Sequence, residues 1–127
     1  MIIGVGCDVV QIPRIEKLVA SHGDSFLRRI FSKAEIQLIV EGPEKCRYIA
    51  KRFAAKEAFA KAVGTGIGSA MRFCDIEIFK SECGKPFFSK ETLMLVGHSI
   101  EAFISLSDDY PVAMAQVVLC SHKHAFY

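Results

Sequence analysis

The stretch that most limits how this chain can fold is Arg52-Phe-Ala-Ala-Lys-Glu-Ala-Phe-Ala-Lys-Ala-Val-Gly-Thr-Gly-Ile67. Ala, Lys, Glu and Arg favour a helix, and Gly64, Gly66 and Gly68 mark where it stops. At ~100° per residue, Glu57 and Lys61 fall about 40° apart on the wheel. Phe53 and Ala60 flank them on one side, Ala54 and Ala58 on the other. Lys51, Arg52 and Lys56 lie towards the other side, with Ala55 and Phe59 among them. As a plain i,i+4 pair on an exposed face, Glu57 and Lys61 would add only ~0.2–0.5 kcal/mol. A carboxylate and an ammonium among apolar neighbours are costly unless paired or put to use.

The length of 127 residues fits one domain, 1–127. With 51% hydrophobic and 24% charged residues the composition is that of a globular chain, which excludes intrinsic disorder. No apolar run approaches the ~18–20 residues of a membrane span. The opening Met1-Ile-Ile-Gly-Val-Gly6 lacks the basic segment of a signal peptide, so a cytoplasmic location is expected. Cys7, Cys46, Cys74, Cys83 and Cys120 are scattered and odd in number, a pattern of small buried residues or free thiols in a reducing compartment. His122-Lys-His124 reads as a solvated tail rather than a metal site.

Residues 2–12 form a β-branched strand, in which Gly4 and Gly6 signal a bend or a close backbone approach and Asp8 is the single charge. Pro13 opens a helix to about His22, ended by Gly23, and a second helical stretch runs from Asp24-Ser25 to about Ile30. Ser32-Lys-Ala-Glu35 matches a capping box. Gly42-Pro43 separates it from the long helix, about 44–63. Then follow a strand over Asp75–Phe79, a turn at Glu82–Pro86, a short strand Pro86–Phe88 and a helix from Ser89 to about Ser99. Strands Ala102–Ser107 and Val112–Cys120 close the chain, joined by a hairpin at Asp108-Asp109-Tyr110-Pro111. The plan is α+β: an antiparallel sheet with helices packed to one side, the first strand pairing with the final hairpin.

Two carboxylates in apolar settings, Asp8 and Glu57, would repel each other if brought close. A divalent cation removes that conflict, and oxygen-only ligands suit Mg²⁺, which substrate phosphates commonly complete. Lys61 then faces another phosphate oxygen. The turn Gly64–Gly68 has backbone N–H groups to offer an anion, but it lies at the C-terminal end of its helix, where the dipole opposes one. Net charge is only +2, yet residues 14–33 and 43–63 are both net basic, which points to an acidic partner or a phosphorylated ligand. A non-enzymatic basic module that binds an acidic protein explains those segments but not Asp8 or Glu57. Single-stranded nucleic acid would want aromatics interleaved with the basic residues, whereas Phe26, Phe31, Phe53 and Phe59 sit at core positions.

Several motifs together carry a resemblance. They are Gly6-Cys-Asp8 with Arg14, Phe31-Ser32-x-x-Glu35, Arg52-Phe-Ala-Ala-Lys-Glu-Ala to Lys61, Gly64-Thr-Gly-Ile67, and Gly84-Lys-Pro86. On these the chain resembles the holo-[acyl-carrier-protein] synthases, the small trimeric class of 4′-phosphopantetheinyl transferases, nearly end to end. The resemblance implies transfer of phosphopantetheine from coenzyme A to a serine of apo acyl carrier protein, in support of fatty acid biosynthesis. It implies that Asp8 and Glu57 hold Mg²⁺ and that Asp8, Glu57 and Lys61 are catalytic. Lys61, Gly64, Thr65, Arg52 and Lys85 would meet the coenzyme. Arg14, and with it Arg28 or Arg29, would meet the carrier protein. The serine proton would pass to a carboxylate such as Asp8 or to a water on the ion. A homotrimer with active sites between subunits is also implied. One departure stands out: many members have Ser-x-Ser-His where this chain has Ser105-Leu-Ser-Asp108, so any phosphate contact made by that histidine is lost or replaced.

Overall fold

The computed structural model describes residues 1–122. A long strand, β1 (Ile2–Gln11), leads directly into helix α1 (Ile12–His22), with a proline in its first turn and Gly23 closing it at φ 51°. Helix α2 (Asp24–Ile30) follows, then the single turn α3 (Lys33–Ile36), and then the central helix α4 (Lys45–Val63). Beyond a 3₁₀ turn at Phe73–Asp75 come β2 (Ile78–Lys80), β3 (Pro86–Phe88), α5 (Lys90–Met94), β4 (Ile100–Asp109) and β5 (Val112–Ser121). The architecture is α+β. One antiparallel sheet has the order β1-β5-β4, and β2 pairs with β3 in a second, smaller one.

As expected, the first strand pairs with the C-terminal hairpin; Gly6 lies opposite Val117 and Asp8 opposite Ala115. Two elements are shorter than the sequence pattern predicts. The alternation over 75–79 yields a 3₁₀ turn ending at Asp75 and a strand starting only at Ile78, because Asp75 folds back on Arg72 instead of entering the sheet. The Ser89-capped helix ends at Met94 rather than near Ser99, with Gly97 at φ 155° and Ser99 at φ 59° turning the chain into β4. Exposed His122 pairs with Glu101, and His124 lies outside the described residues.

Strand alternation gives the main sheet two faces. Val10, Ala113, Ala115, Val117 and Leu119 point inward and are buried under α4, which crosses β1 and β5. Side chains on that helix include Ala50, Ala54, Ala55, Ala58 and Ala62, all buried. Small residues permit helix and strand to approach very closely. A Cβ built on Gly6 would lie 1.8 Å from the Ala58 carbonyl oxygen, and one on Gly4 would lie 2.0 Å from that of Ala62. Both obstacles are backbone, so no rotamer change relieves them. The two glycines predicted as a bend or a close approach are a close approach. The opposite face of the sheet carries Ile3, Val5, Val9, Phe103 and Met114 in the open.

Gly6→Ala should therefore push β1 off α4. Overpacking of this kind costs about 1–3 kcal/mol, and calorimetry should show Tm lowered by roughly 5–15 °C. An unchanged Tm would mean that helix and strand are not locked at this spacing.

Candidate functional site

Asp8 follows Gly6 by two residues, so it shares the inward face and meets α4 where the backbones touch. Its side chain is mostly buried, and Lys61 Nζ donates to Asp8 Oδ1 at 2.9 Å and to the Cys7 carbonyl at 3.1 Å. The bond to Asp8 holds the Lys61 ammonium above the ordinary lysine pKa, so it remains a cation across the physiological range. Glu57, one helical turn before Lys61, is half-buried. Burial pushes its carboxyl upward, and the charge of Asp8 pushes it further; Lys61 and Arg14 pull the other way. Two carboxylates thus share one small region with one ammonium bonded to one of them. The donor set is oxygen only and carries excess negative charge, which fits a hard divalent cation. No group of three or more His, Cys, Asp or Glu suited to a metal occurs among the described residues. The two carboxylates would leave positions on such an ion for water and phosphate oxygens.

Beside this centre lies a groove of about 640 Å³ with an apolar floor, including Leu18, Phe26, Phe53 and Ile67, and a rim formed by Arg14, Arg28 and Arg29. Arg14 lies over the Phe53 ring at 5.7 Å. Neither Arg28 nor Arg29 forms an ion pair among the described residues. The structure therefore brings together Asp8, Glu57, Lys61 and Arg14 and sets Arg28 and Arg29 along the same groove.

Other residues named from the sequence sit elsewhere. Gly64 caps α4 in the left-handed region at φ 98°, and its N–H donates to the Ala60 and Lys61 carbonyls. The Gly66 N–H also goes to Ala60, and that of Gly68 to Met71. These amides serve the helix end and the turn, as the dipole argument anticipated, while Thr65 Oγ1 donates to the Gly66 carbonyl. Lys85 is exposed in the β2–β3 turn, and no described hydrogen bond or ion pair connects it to Asp8, Glu57 or Lys61. Arg52 is only 4% exposed and stacks over Tyr48, with Nε and Nη1 lacking hydrogen-bond partners.

The basic segment 43–63 is not an exposed basic face. Lys45 pairs with Glu41, and Lys51 and Arg47 both reach Asp108, at 2.8 and 3.3 Å. The Lys51 contact, aided by Arg47, holds the Asp108 carboxyl below the usual carboxylate range. Asp108, the departure noted in the sequence, is thus a carboxylate engaged by two cations of its own chain. Lys56 is fully buried and bonded to Glu35 at 2.6 Å. Sequence reasoning explained Glu35 as a cap that could also face a site, and gave Lys56 no role. The available signal was the position of Lys56 on the wheel, between Ala55 and Phe59.

The profile of the 4′-phosphopantetheinyl transferase superfamily matches residues 4–115. The chain belongs to that superfamily. It is 44% identical over 123 residues to the holo-[acyl-carrier-protein] synthase of Ruthia magnifica subsp. Calyptogena magnifica, covering 94% of this chain and 97% of that protein. Two crystal structures of such synthases resemble it closely. One, from Bacillus anthracis in complex with CoA (3′,5′-ADP), is 38% identical with a TM-score of 0.82, covering 95% of this chain and 98% of the other. The other, from Helicobacter pylori in complex with coenzyme A, is 39% identical with a TM-score of 0.79, covering 91% and 99%. This superfamily member is accordingly an enzyme of the phosphopantetheinyl transferase class.

In metal-free protein, carbon-detected NMR should find Glu57 titrating above the ordinary glutamate range. Asp8→Asn should lower its pKa by removing a like charge, and Lys61→Met should raise it by removing an attraction. A carboxyl raised in the folded state stabilises the fold below its unfolded pKa and loses that contribution as pH rises through the folded value. Asp108 behaves oppositely, losing its contribution as pH falls through its depressed value. A Glu57 pKa that ignores both substitutions would separate it from Asp8 and Lys61.

Proposed function

We propose that this enzyme transfers the 4′-phosphopantetheine group of coenzyme A to a serine hydroxyl of an apo acyl carrier protein, with Mg²⁺ and with release of 3′,5′-ADP. The observation that carries this reading is the cluster of Asp8, Glu57 and Lys61, set beside an arginine-rimmed apolar groove. Asp8 and Glu57 would hold the cation. When bound, Mg²⁺ supplies Lewis-acid polarisation of the pyrophosphate and charge neutralisation on the leaving phosphate.

The residues of the chain do the rest. The serine oxygen forms a bond to the phosphorus that bears pantetheine, the bond from that phosphorus to the bridging oxygen breaks, and the hydroxyl proton leaves to a basic group at the site. Lys61, charged and half-exposed beside Asp8, would stabilise negative charge as it develops. Arg14, Arg28 and Arg29 would orient an acidic carrier helix, with its apolar side on Phe53, Leu18 and Ile67. Arg14 is within electrostatic reach of Glu57, which ties docking to the reacting end of the groove.

A second copy of the chain also belongs in this reading. Lys51 and Arg47 precede Lys61 and Glu57 on α4 by ten residues, roughly 15 Å at the helical rise. Arg52, Asp108 and Lys85 would then serve a more distant part of the coenzyme or the site of a neighbouring subunit. The exposed apolar sheet face of Val5, Val9, Phe103 and Met114 supports a homotrimer assembled through it. No helix among the described residues is long and apolar enough to cross a membrane. A cytoplasmic role in fatty acid biosynthesis is part of the same proposal.

The deciding experiment is intact-mass spectrometry of apo acyl carrier protein incubated with the protein, coenzyme A and Mg²⁺. A phosphopantetheine mass gain that disappears with EDTA or with Glu57→Gln is expected; no gain from folded protein would leave a binding module as the better account. Arg14→Ala should raise KM for the carrier about tenfold and leave that for coenzyme A within about twofold. An unchanged carrier KM would remove Arg14 from docking.

A further inference from the structure

Lys56 is completely buried, and all three of its ammonium hydrogens are used. Nζ donates to the Ile30 carbonyl at 2.8 Å, to Glu35 Oε1 at 2.6 Å and to the Phe73 carbonyl at 3.1 Å. The Glu35 carboxylate is equally committed. Oε1 also accepts from the Ser32 N–H, and Oε2 accepts from the Ile78 N–H, each at 3.0 Å. One ion pair therefore ties α4 to the end of α2, the start of α3, the 3₁₀ turn and β2. Ile30 and Phe73 stand on the arginine-rimmed groove, and Phe53, which stacks on Phe73 at 4.8 Å, forms part of its floor.

A buried lysine–glutamate pair is a poor source of stability, because desolvation offsets most of the attraction and apolar replacements often serve as well. What such a pair supplies is geometry: charge-assisted bonds of fixed length in fixed directions. Lys56 also immediately precedes Glu57 on the helix. The residue that anchors both groove walls and the carboxylate at the reacting centre are consecutive.

We propose that the buried Lys56–Glu35 pair is a positioning element that fixes the Ile30 and Phe73 walls of the carrier-protein groove relative to the Asp8–Glu57 centre, and so governs carrier recognition. This inference rests on the groove being the carrier site, as argued above. Both side chains are sealed in the interior, Lys56 at 0% and Glu35 at 2% exposure, and so are not placed to contact either substrate directly. Loss of the pair should register in recognition of the protein substrate and leave coenzyme A binding alone.

Removing one partner alone would strand a buried charge, so the test uses Lys56→Met combined with Glu35→Gln. The glutamine carbonyl can still accept from Ile78, while the tethers to Ile30 and Phe73 are gone. The double variant should melt cooperatively, keep its coenzyme A KM within about twofold and raise its KM for apo carrier about tenfold. An unchanged carrier KM in the folded double variant, or a parallel rise for carrier and coenzyme, overturns the proposal. If Arg14→Ala also leaves carrier KM unchanged, the groove assignment itself fails; if Arg14→Ala raises it, only the positioning role does. Should the double variant not fold, hydrogen exchange on the unmodified protein decides. Residues 30–35 and 73–78 should open together with α4 as one unit, and separate opening of either wall overturns the proposal.

Discussion

The contact on which the rest of the molecule depends is backbone against backbone, where β1 lies on α4 at Gly4 and Gly6. Only a strand with glycine at alternate positions, meeting a helix with alanine at Ala58 and Ala62, can reach that separation. The strand period then places Asp8 on the same face, and the helix period places Glu57 and Lys61 beside Ala58 and Ala62. Main-chain geometry thus determines which charged groups meet. Hydrophobic burial around Phe53, Phe59 and the sheet residues supplies the driving force, but the glycines decide where the helix comes to rest.

Charge is arranged by the same helix. Each lysine of α4 has a carboxylate partner: Lys45 with Glu41, Lys51 with Asp108, Lys56 with Glu35 and Lys61 with Asp8. These pairs differ in kind. That of Lys45 is exposed and weak, that of Lys56 is sealed in the interior, and that of Lys61 is half-exposed and open to exchange for another anion. An identical residue type on one helix is thereby exposed at Lys45, sealed inside at Lys56 and, on the function proposed above, available for reactive chemistry at Lys61.

Much of this was legible in the sequence because it follows from local rules. The capping box at Ser32 and Glu35, the glycine stop after Val63 and the single charge of Asp8 within a β-branched strand all leave short-range signatures, while the pairing of that strand with the last hairpin follows from the α+β plan. The motifs also sufficed to name the superfamily that the match over residues 4–115 establishes. Tertiary partners were not legible. Glu35 already had a complete explanation as a cap, so nothing pointed to Lys56, 21 residues away. Counting charges made residues 43–63 look like a basic surface, because a count does not see Asp108 arriving from β4. The strand predicted over 75–79 is shortened for a related reason: Asp75 has a local partner in Arg72, and that pairing takes precedence over alternation.

The self-neutralised helix has a consequence for how a partner arrives. With each lysine of α4 paired to a carboxylate, Arg14, Arg28 and Arg29 concentrate positive charge along one rim of one groove. At separations near the ~8–10 Å screening length, an acidic helix then experiences a torque as well as an attraction. It is turned to lie along the groove before any apolar contact forms. A chain with nearly balanced total charge can in this way impose an approach direction that a uniformly basic protein could not.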